Sequence, residues 1–133
     1  MYNVSKEIHF CYGHRLLDYD GKCAHPHGHN GKIDIELTSP SLDKRSMVFD
    51  FGDVKEAIQT WLDKKLDHKM ILRKDDPLAP ILEKLGEPCF LMDENPTAEA
   101  LAKLIFDYAR SQKLPVSRVT FWETRTSSAA YSH

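Results

Sequence analysis

Hydrophobic and polar residues alternate in two segments of the N-terminal third of the chain, as they do in strands with one buried face. The first covers residues 2–11, with Lys6 as the one charged residue on its apolar side. The second covers residues 32–37, alternates throughout and ends near Pro40. Both segments predict half-buried strands.

Two longer segments repeat their apolar residues every three to four positions, the stripe of an amphipathic helix. The first covers residues 54–66 and the second residues 98–109. The start signal Asn95-Pro96-Thr97 precedes the second stripe, and Leu114-Pro115 ends it. Between the two predicted helices, residues 75–87 contain two prolines and a glycine, which predicts a loop with one short helical turn.

The remaining apolar segments complete the predicted fold. Residues 89–92 are expected to pack inward, and residues 119–123 and 129–131 predict two further strands, the last of them short. The order is strand, strand, helix, helix, strand, strand (ββααββ). Such elements pack most simply as an α+β layer fold, a four-stranded antiparallel sheet with both helices on one face.

The composition is that of one globular domain spanning residues 1–133. The formal charge is −2, so the chain lacks the basic surface that nucleic-acid binding requires. No apolar run approaches the roughly 18 residues of a membrane span, and the first residues do not form a secretory signal. The three cysteines show no C-x-x-C spacing, which argues against a disulfide framework. We therefore expect a cytoplasmic protein with no nucleic-acid or membrane partner.

The histidines are clustered. Five of the seven lie between His9 and His29, and His27-Gly28-His29 leads into the second strand. Residues two apart on a strand face the same side, so both imidazoles can reach one cation. If the first two strands form an antiparallel hairpin, His14 supplies a third ligand, whereas His25 is too far from His29 because four extended residues span about 13 Å. Three neutral nitrogens without a fourth protein ligand predict an open, catalytic zinc site.

The cysteines require separate interpretations. Cys23 lies in the loop that carries the histidines, where its thiolate can act as a base or nucleophile beside the cation. The alternative is that Cys23 is a fourth ligand of a closed structural zinc site. Cys11 and Cys89 lie in apolar contexts, which are typical of buried, inert thiols.

Two acidic positions are further candidates. Asp67 precedes His68 at the end of the first predicted helix, and such a carboxylate can orient a histidine that moves protons. Alternatively, a helix C-terminus favours histidine through the helix dipole alone. Glu123 lies on an otherwise apolar strand, where a ligand with an amidine-like pair of N–H groups would satisfy it, unless the strand simply ends there at the solvent edge.

Six motifs occur in a specific order and spacing and cover nearly the whole chain: Phe10-Cys11-Tyr12-Gly13-His14-Arg15-Leu16, Cys23 with His27-Gly28-His29-Asn30, Phe49-Asp50-Phe51, Leu66-Asp67-His68, Asn95-Pro96-Thr97-Ala98-Glu99, and Glu123-Thr124-x-Thr126-Ser127-x-Ala129-x-Tyr131. Together they resemble the 6-pyruvoyl-tetrahydropterin synthase and 6-carboxytetrahydropterin synthase family. Three positions depart from the family pattern. Gly31 replaces a frequent aromatic residue, Met70-Ile71-Leu72 replaces a frequent Leu-Asn, and Cys11 replaces a serine or another small residue.

The resemblance implies a role for each of seven residues: zinc ligation by His14, His27 and His29, base catalysis by Cys23, a proton relay by Asp67 and His68, and anchoring of the pterin ring by Glu123. It also implies the tunnelling fold, in which the sheets of neighbouring subunits join into a barrel around a tunnel. Family members are hexamers of two trimers, in which one subunit brings the metal and another brings the Asp-His pair.

The implied substrate is 7,8-dihydroneopterin triphosphate. The compact length and the Cys-to-His-Gly-His spacing favour a zinc-dependent lyase that forms 6-carboxytetrahydropterin and releases triphosphate and acetaldehyde, a step towards queuosine. One alternative is a 6-pyruvoyl-tetrahydropterin synthase, and another is a non-catalytic, zinc-stabilised pterin-binding module. A branch that makes 6-hydroxymethyl-dihydropterin has Glu in place of the catalytic cysteine, so Cys23 argues against it. Four basic residues are candidates for holding the triphosphate: Arg15, Lys22, Lys32 and Arg125.

Overall fold

The computed structural model describes residues 1–133 as six strands and three helices, with one 3-10 turn, Lys22–Ala24, in the first loop. The strands are β1 (Tyr2–His14), β2 (His27–Ser39), β3 (Met70–Arg73), β4 (Cys89–Met92), β5 (Val116–Trp122) and β6 (Ser128–Ser132). The helices are α1 (Phe51–Lys65), α2 (Leu78–Lys84) and α3 (Ala98–Ser111). None of the helices has the length and apolar character needed to cross a membrane.

All six strands form one mixed sheet in the order β4-β3-β1-β2-β5-β6. The neighbours β1, β2, β5 and β6 are antiparallel, as the sequence predicts. In contrast, β3 runs parallel to both β1 and β4, and it pairs with β1 only at Gly13 and His14. The α+β class is therefore confirmed, whereas the prediction of a four-stranded, fully antiparallel sheet with two helices is wrong.

The elements that the prediction missed are short. Strands β3 and β4 have four residues each and consist mostly of apolar residues without alternation. At this length, periodicity does not distinguish a strand from a buried loop. The short helical turn expected within residues 75–87 is α2, a third helix of seven residues.

The central hairpin has one apolar face and one polar face. Its apolar face packs into the core beneath α1 and α3, and this face contributes six fully buried side chains: Ile8, Phe10, Tyr12, Ile33, Ile35 and Leu37. Lys6, the charged residue on the apolar side of β1, is half-buried. The opposite face carries Glu7, Lys32 and Asp34, which are exposed or half-buried. Side chains on the hairpin therefore lie either in the buried apolar core or on a polar, partly exposed face.

Both long helices begin at a side-chain cap. The Asp50 carboxylate accepts a hydrogen bond from the Gly52 N–H at 2.7 Å, and the Thr97 hydroxyl accepts one from the Ala100 N–H at 3.1 Å. These caps satisfy backbone donors that the first turn of a helix leaves unpaired. The start signal predicted at residues 95–97 is therefore confirmed as the N-terminal boundary of α3.

Candidate functional site

The register of the β1–β2 hairpin brings three histidines together at one end of the sheet. His14, the last residue of β1, pairs with His27, the first residue of β2, and His29 follows on the same face. The ring centroids lie 4.5 to 5.1 Å apart. One nitrogen from each ring lies within 4.8 Å of the other two. His25 is not part of this cluster.

Hydrogen bonds determine which nitrogen two of these rings can offer. His14 donates from Nδ1 to the Pro96 carbonyl at 2.8 Å, and His27 donates from Nδ1 to the His25 carbonyl at 2.7 Å. In a neutral imidazole, the other nitrogen then carries the free lone pair. The Nε2 atoms of His14 and His29 are buried and have no partner. Buried polar atoms are normally paired, so these nitrogens fit a metal ion as their missing partner.

The charge state of the cluster suits metal binding. Burial lowers the pKa of His14 to about 4, and repulsion from His27 and His29 adds to this effect. Burial also lowers the pKa of His29, although Glu123 opposes the shift. Both rings are therefore neutral at pH 7, the form in which imidazole binds a metal.

Glu123 lies beside this cluster, one residue after the end of β5. Its Oε1 atom is 4.0 Å from His14 Nε2, and its side chain is 25% exposed. The Glu123 N–H donates to the Ser127 carbonyl at 3.2 Å, across the turn between β5 and β6. The half-buried carboxylate can therefore accept hydrogen bonds from a ligand bound beside the histidines.

Cys23 lies in the 3-10 turn and is a half-buried free thiol. Its carbonyl accepts a hydrogen bond from the Leu16 N–H at 2.8 Å, which holds the loop against the end of β1. Its Sγ atom does not join the group of converging histidine nitrogens, so the candidate ligand set contains three imidazoles and no thiol. Cys23 also makes no hydrogen bond to Asp67 or His68.

Asp67 and His68 form a rigid turn after α1. The Asp67 carboxylate accepts hydrogen bonds from the Cys11 N–H at 3.0 Å and from His68 Nδ1 at 2.9 Å. Burial raises the pKa of Asp67, but these hydrogen bonds outweigh it and the net shift is downward. His68 has a φ of 59°, which is costly for a non-glycine residue, and its N–H donates to the Cys11 carbonyl at 2.7 Å.

The thiol in contact with His68 is Cys11, and the prediction that Cys11 is buried is wrong. Cys11 is half-buried, and its Sγ atom lies 3.3 Å from His68 Nε2. Cys11 and His14 are an odd number of residues apart on β1, so their side chains point to opposite faces of the sheet. The Asp-His pair and the histidine cluster of one chain therefore lie on different faces.

Tyr12 is a site residue that the sequence analysis missed. Its ring centroid lies 5.1 Å from that of His14 and 5.6 Å from that of His29, and its buried hydroxyl has no partner. Burial, followed by the charge of Glu123, raises the pKa of Tyr12. A Cβ atom at Gly31 would approach the Tyr12 ring to 3.1 Å. Tyr12 thus lies next to position 31, where the family often has an aromatic residue. The glycine at this position could have indicated that the aromatic side chain of Tyr12 fills the space instead.

The four basic candidates for anion binding differ in their pairing. Arg15 donates from Nε to the buried Asp76 carboxylate at 2.8 Å, and Lys32 lies 3.6 Å from Glu7. Lys22 and Arg125 form no salt bridge. The charge of Arg15 is therefore compensated within the chain.

The fold and this site together define a class of protein, namely a small α+β protein with a candidate three-histidine metal centre and a separate Asp-His pair. The chain belongs to the 6-pyruvoyl tetrahydropterin synthase family, whose profile matches residues 3–133. This confirms the resemblance drawn from the motifs and identifies the chain as an enzyme of the tetrahydropterin synthase family.

Individual relatives agree with this assignment. The chain is 33% identical to the 6-carboxy-5,6,7,8-tetrahydropterin synthase of Haemophilus influenzae, over 98% of this chain and 99% of the relative. An uncharacterized protein from Wolinella succinogenes has a similar structure, with a TM-score of 0.81 and 28% identity, over 99% of this chain and 98% of that chain. The 6-pyruvoyl tetrahydropterin synthase of Caenorhabditis elegans has the same fold, with a TM-score of 0.76 and 22% identity, over 99% and 95% of the two chains.

The histidine cluster predicts the metal content of the purified protein. Wild type is expected to hold about one zinc ion per chain, and His27→Ala and His29→Ala are expected to lose it because each removes a ligand. His25→Ala is the matched control, since His25 supplies only a backbone carbonyl. Elemental analysis of the three variants tests the assignment. Zinc retained by the first two variants and lost by His25→Ala would show that the ligands are wrongly assigned.

The lowered pKa of His14 predicts a pH-dependent stability of the metal-free protein. Between pH 6.5, its ordinary pKa, and about pH 4, the unfolded state binds more protons than the folded state. The free energy of unfolding should therefore fall as the pH decreases through this window, by up to about 1.4 kcal/mol per pH unit. Urea denaturation across this range measures the slope. His14→Gln should give a flatter slope, and an unchanged slope would rule out His14 as the cause.

Proposed function

We propose that this enzyme is a zinc-dependent lyase that converts 7,8-dihydroneopterin triphosphate and one water molecule to 6-carboxytetrahydropterin, triphosphate and acetaldehyde. The observation that carries this proposal is the convergence of the His14, His27 and His29 nitrogens, with the Glu123 carboxylate 4.0 Å from His14 Nε2. The family supplies the pterin substrate class, and the name of the Haemophilus influenzae relative favours the carboxy product over the pyruvoyl product. Zinc is the ion we propose because catalytic zinc sites commonly combine three protein ligands with an open position.

Each residue has a distinct task in this proposal. Glu123 binds the pterin ring, because a carboxylate can accept two adjacent N–H groups in strong, charge-assisted hydrogen bonds. When bound, zinc supplies Lewis acidity towards oxygen atoms of the substrate side chain. Cys23 removes a side-chain proton as the general base. His68 returns a proton at another carbon, with Asp67 holding its Nδ1–H and thereby its orientation.

We further propose that subunits of a hexamer, a dimer of trimers, share each site. Cys23 and His68 make no contact within one chain, and the Asp-His pair lies on the face opposite the histidine cluster. The sheet also has edges suited to pairing. β6 is an edge strand, and β1 has a neighbour beyond β2 only at Gly13 and His14. Such edges tend to pair with other chains, which would join neighbouring sheets.

Residues 1–133 act as one tetrahydropterin synthase-like domain in this proposal. All three cysteines are free thiols, which suits a reducing compartment. We therefore propose the cytoplasm as the location of the enzyme.

The product identifies the reaction. Purified protein and 7,8-dihydroneopterin triphosphate should yield 6-carboxytetrahydropterin, with acetaldehyde and triphosphate in equal amounts. Cys23→Ala should retain zinc but lose turnover by about 100-fold or more, because the base is removed. Cys89→Ala is the control, since the Cys89 thiol donates to the Glu87 carbonyl and makes no hydrogen bond to a site residue. Triphosphate with a pyruvoyl product would assign the other synthase activity, and binding without turnover would indicate a pterin-binding module.

Mixed subunits test whether the site is shared. Cys23→Ala and His68→Ala should each be inactive, but refolding them together should restore about a quarter of wild-type turnover, because a random mixture pairs an intact Cys23 with a neighbour's intact His68 at that frequency. Light scattering should give a mass of six chains. An active monomer, or no recovery in the mixture, would contradict the shared site.

A further inference from the structure

A thiol, an imidazole and a carboxylate converge on the polar face of the sheet, on the opposite side of β1 from the His14 side chain. Ligand atoms of Cys11, Asp67 and His68 all lie within 4.8 Å of one another. The His68 side chain is 77% exposed, and Cys11 and His68 line an open groove together with Asn30 and with His29 of the histidine cluster. In the single chain, ions in solution can therefore reach this cluster directly. The family roles described above involve Asp67 and His68 but leave the Cys11 thiol without a function.

We propose that Cys11 and His68 form a second metal site, which takes a thiophilic divalent ion such as zinc or cadmium and blocks the proton relay. The Cys11 Sγ atom lies 3.3 Å from His68 Nε2. Around a tetrahedral zinc ion, bonds of about 2.3 Å to sulfur and about 2.0 Å to nitrogen separate the two ligand atoms by roughly 3.5 Å. The observed distance is close to this value. Because Sγ is also 3.5 Å from Nδ1, the exposed His68 ring must rotate to direct its Nε2 lone pair at the shared ion. A thiolate paired with an imidazole favours soft or borderline ions.

The Asp67 carboxylate completes the arrangement. It accepts the Nδ1–H of His68 at 2.9 Å, so Nε2 carries the free lone pair. A metal-bound histidine commonly donates its other N–H to a carboxylate in this way. Because this hydrogen bond already exists, an ion can bind Nε2 without a change of tautomer.

The backbone holds the cluster in place before any ion binds. The Cys11 N–H donates to Asp67 at 3.0 Å, the His68 N–H donates to the Cys11 carbonyl at 2.7 Å, and the Gly13 N–H donates to the Lys69 carbonyl at 2.9 Å. These bonds join the turn after α1 to β1, so little conformational freedom is lost on binding. Water can fill the remaining coordination positions.

The regulatory consequence rests on the proposed function. An ion on His68 Nε2 occupies the nitrogen with which the proposed relay carries its proton. Excess metal should therefore inhibit turnover reversibly, although the three-histidine site needs its own ion for activity. The bonds that position Asp67 and His68 involve the Cys11 backbone, so replacement of the thiol leaves them intact.

Cobalt titration tests the site without reference to activity, because a thiolate ligand gives a near-ultraviolet charge-transfer band that imidazole does not give. Wild type should bind about two cobalt ions per chain, and the band should grow with the weaker one. Cys11→Ser should retain the tighter ion and lose both the weaker ion and the band, whereas the matched control Cys23→Ser should retain all three signals. Absence of the band in wild type, its persistence in Cys11→Ser, or its loss in Cys23→Ser alone would overturn the proposal.

Inhibition provides a second readout. Cys11→Ser should have wild-type basal turnover and should need about 10-fold more cadmium, or more, for half inhibition, the usual scale for loss of a metal contact. Equal sensitivity of the two proteins would overturn the regulatory role. If the protein binds the second cobalt ion but does not turn over the pterin, the proposed function is rejected and the second metal site stands. If it turns over the pterin but binds no second cobalt ion, the second metal site is rejected and the proposed function stands.

Discussion

The pairing register of β1 and β2 is the constraint on which the candidate site depends. It places His14 opposite His27 and puts His29 on the same face. A slip of one residue would move every β2 side chain to the other face of the sheet and separate the histidines. The register is held by the core, because the buried side chains of Ile8 and Ile33 lie directly opposite each other. The same strand register is therefore required both for core packing and for the geometry of the metal site.

The segment before α3 links this hairpin to the helical layer. Thr97 caps the helix, and the neighbouring Pro96 carbonyl accepts the Nδ1–H of His14. The Asn95 side chain accepts from the Leu17 N–H at 2.9 Å and donates to the Leu17 carbonyl at 2.8 Å. One short segment thus begins a helix, anchors the loop after β1 and selects the histidine nitrogen that is free to bind a metal.

The two faces of the sheet separate two kinds of chemistry. The buried face holds the histidine cluster, where burial lowers the pKa of His14 and of His29 and so keeps these two imidazoles neutral at pH 7. The polar face holds the Asp-His pair, where exposure leaves His68 accessible to protons, to a neighbouring subunit and to metal ions. Because of this separation, a single chain contains only part of the proposed catalytic site. We therefore expect oligomerisation both to complete the site and to pair the exposed strand edges.

Local patterns in the sequence determined the two long helices, the four antiparallel strands and the grouping of His14 with His27 and His29, because periodicity and hairpin pairing act over short distances along the chain. Only the tertiary structure decided the positions of β3 and β4, since four mostly apolar residues show no period and their parallel pairing joins distant segments. It also decided that Cys11 contacts His68, 57 residues away. No local pattern encodes such a contact, because it arises only when the turn after α1 docks on β1.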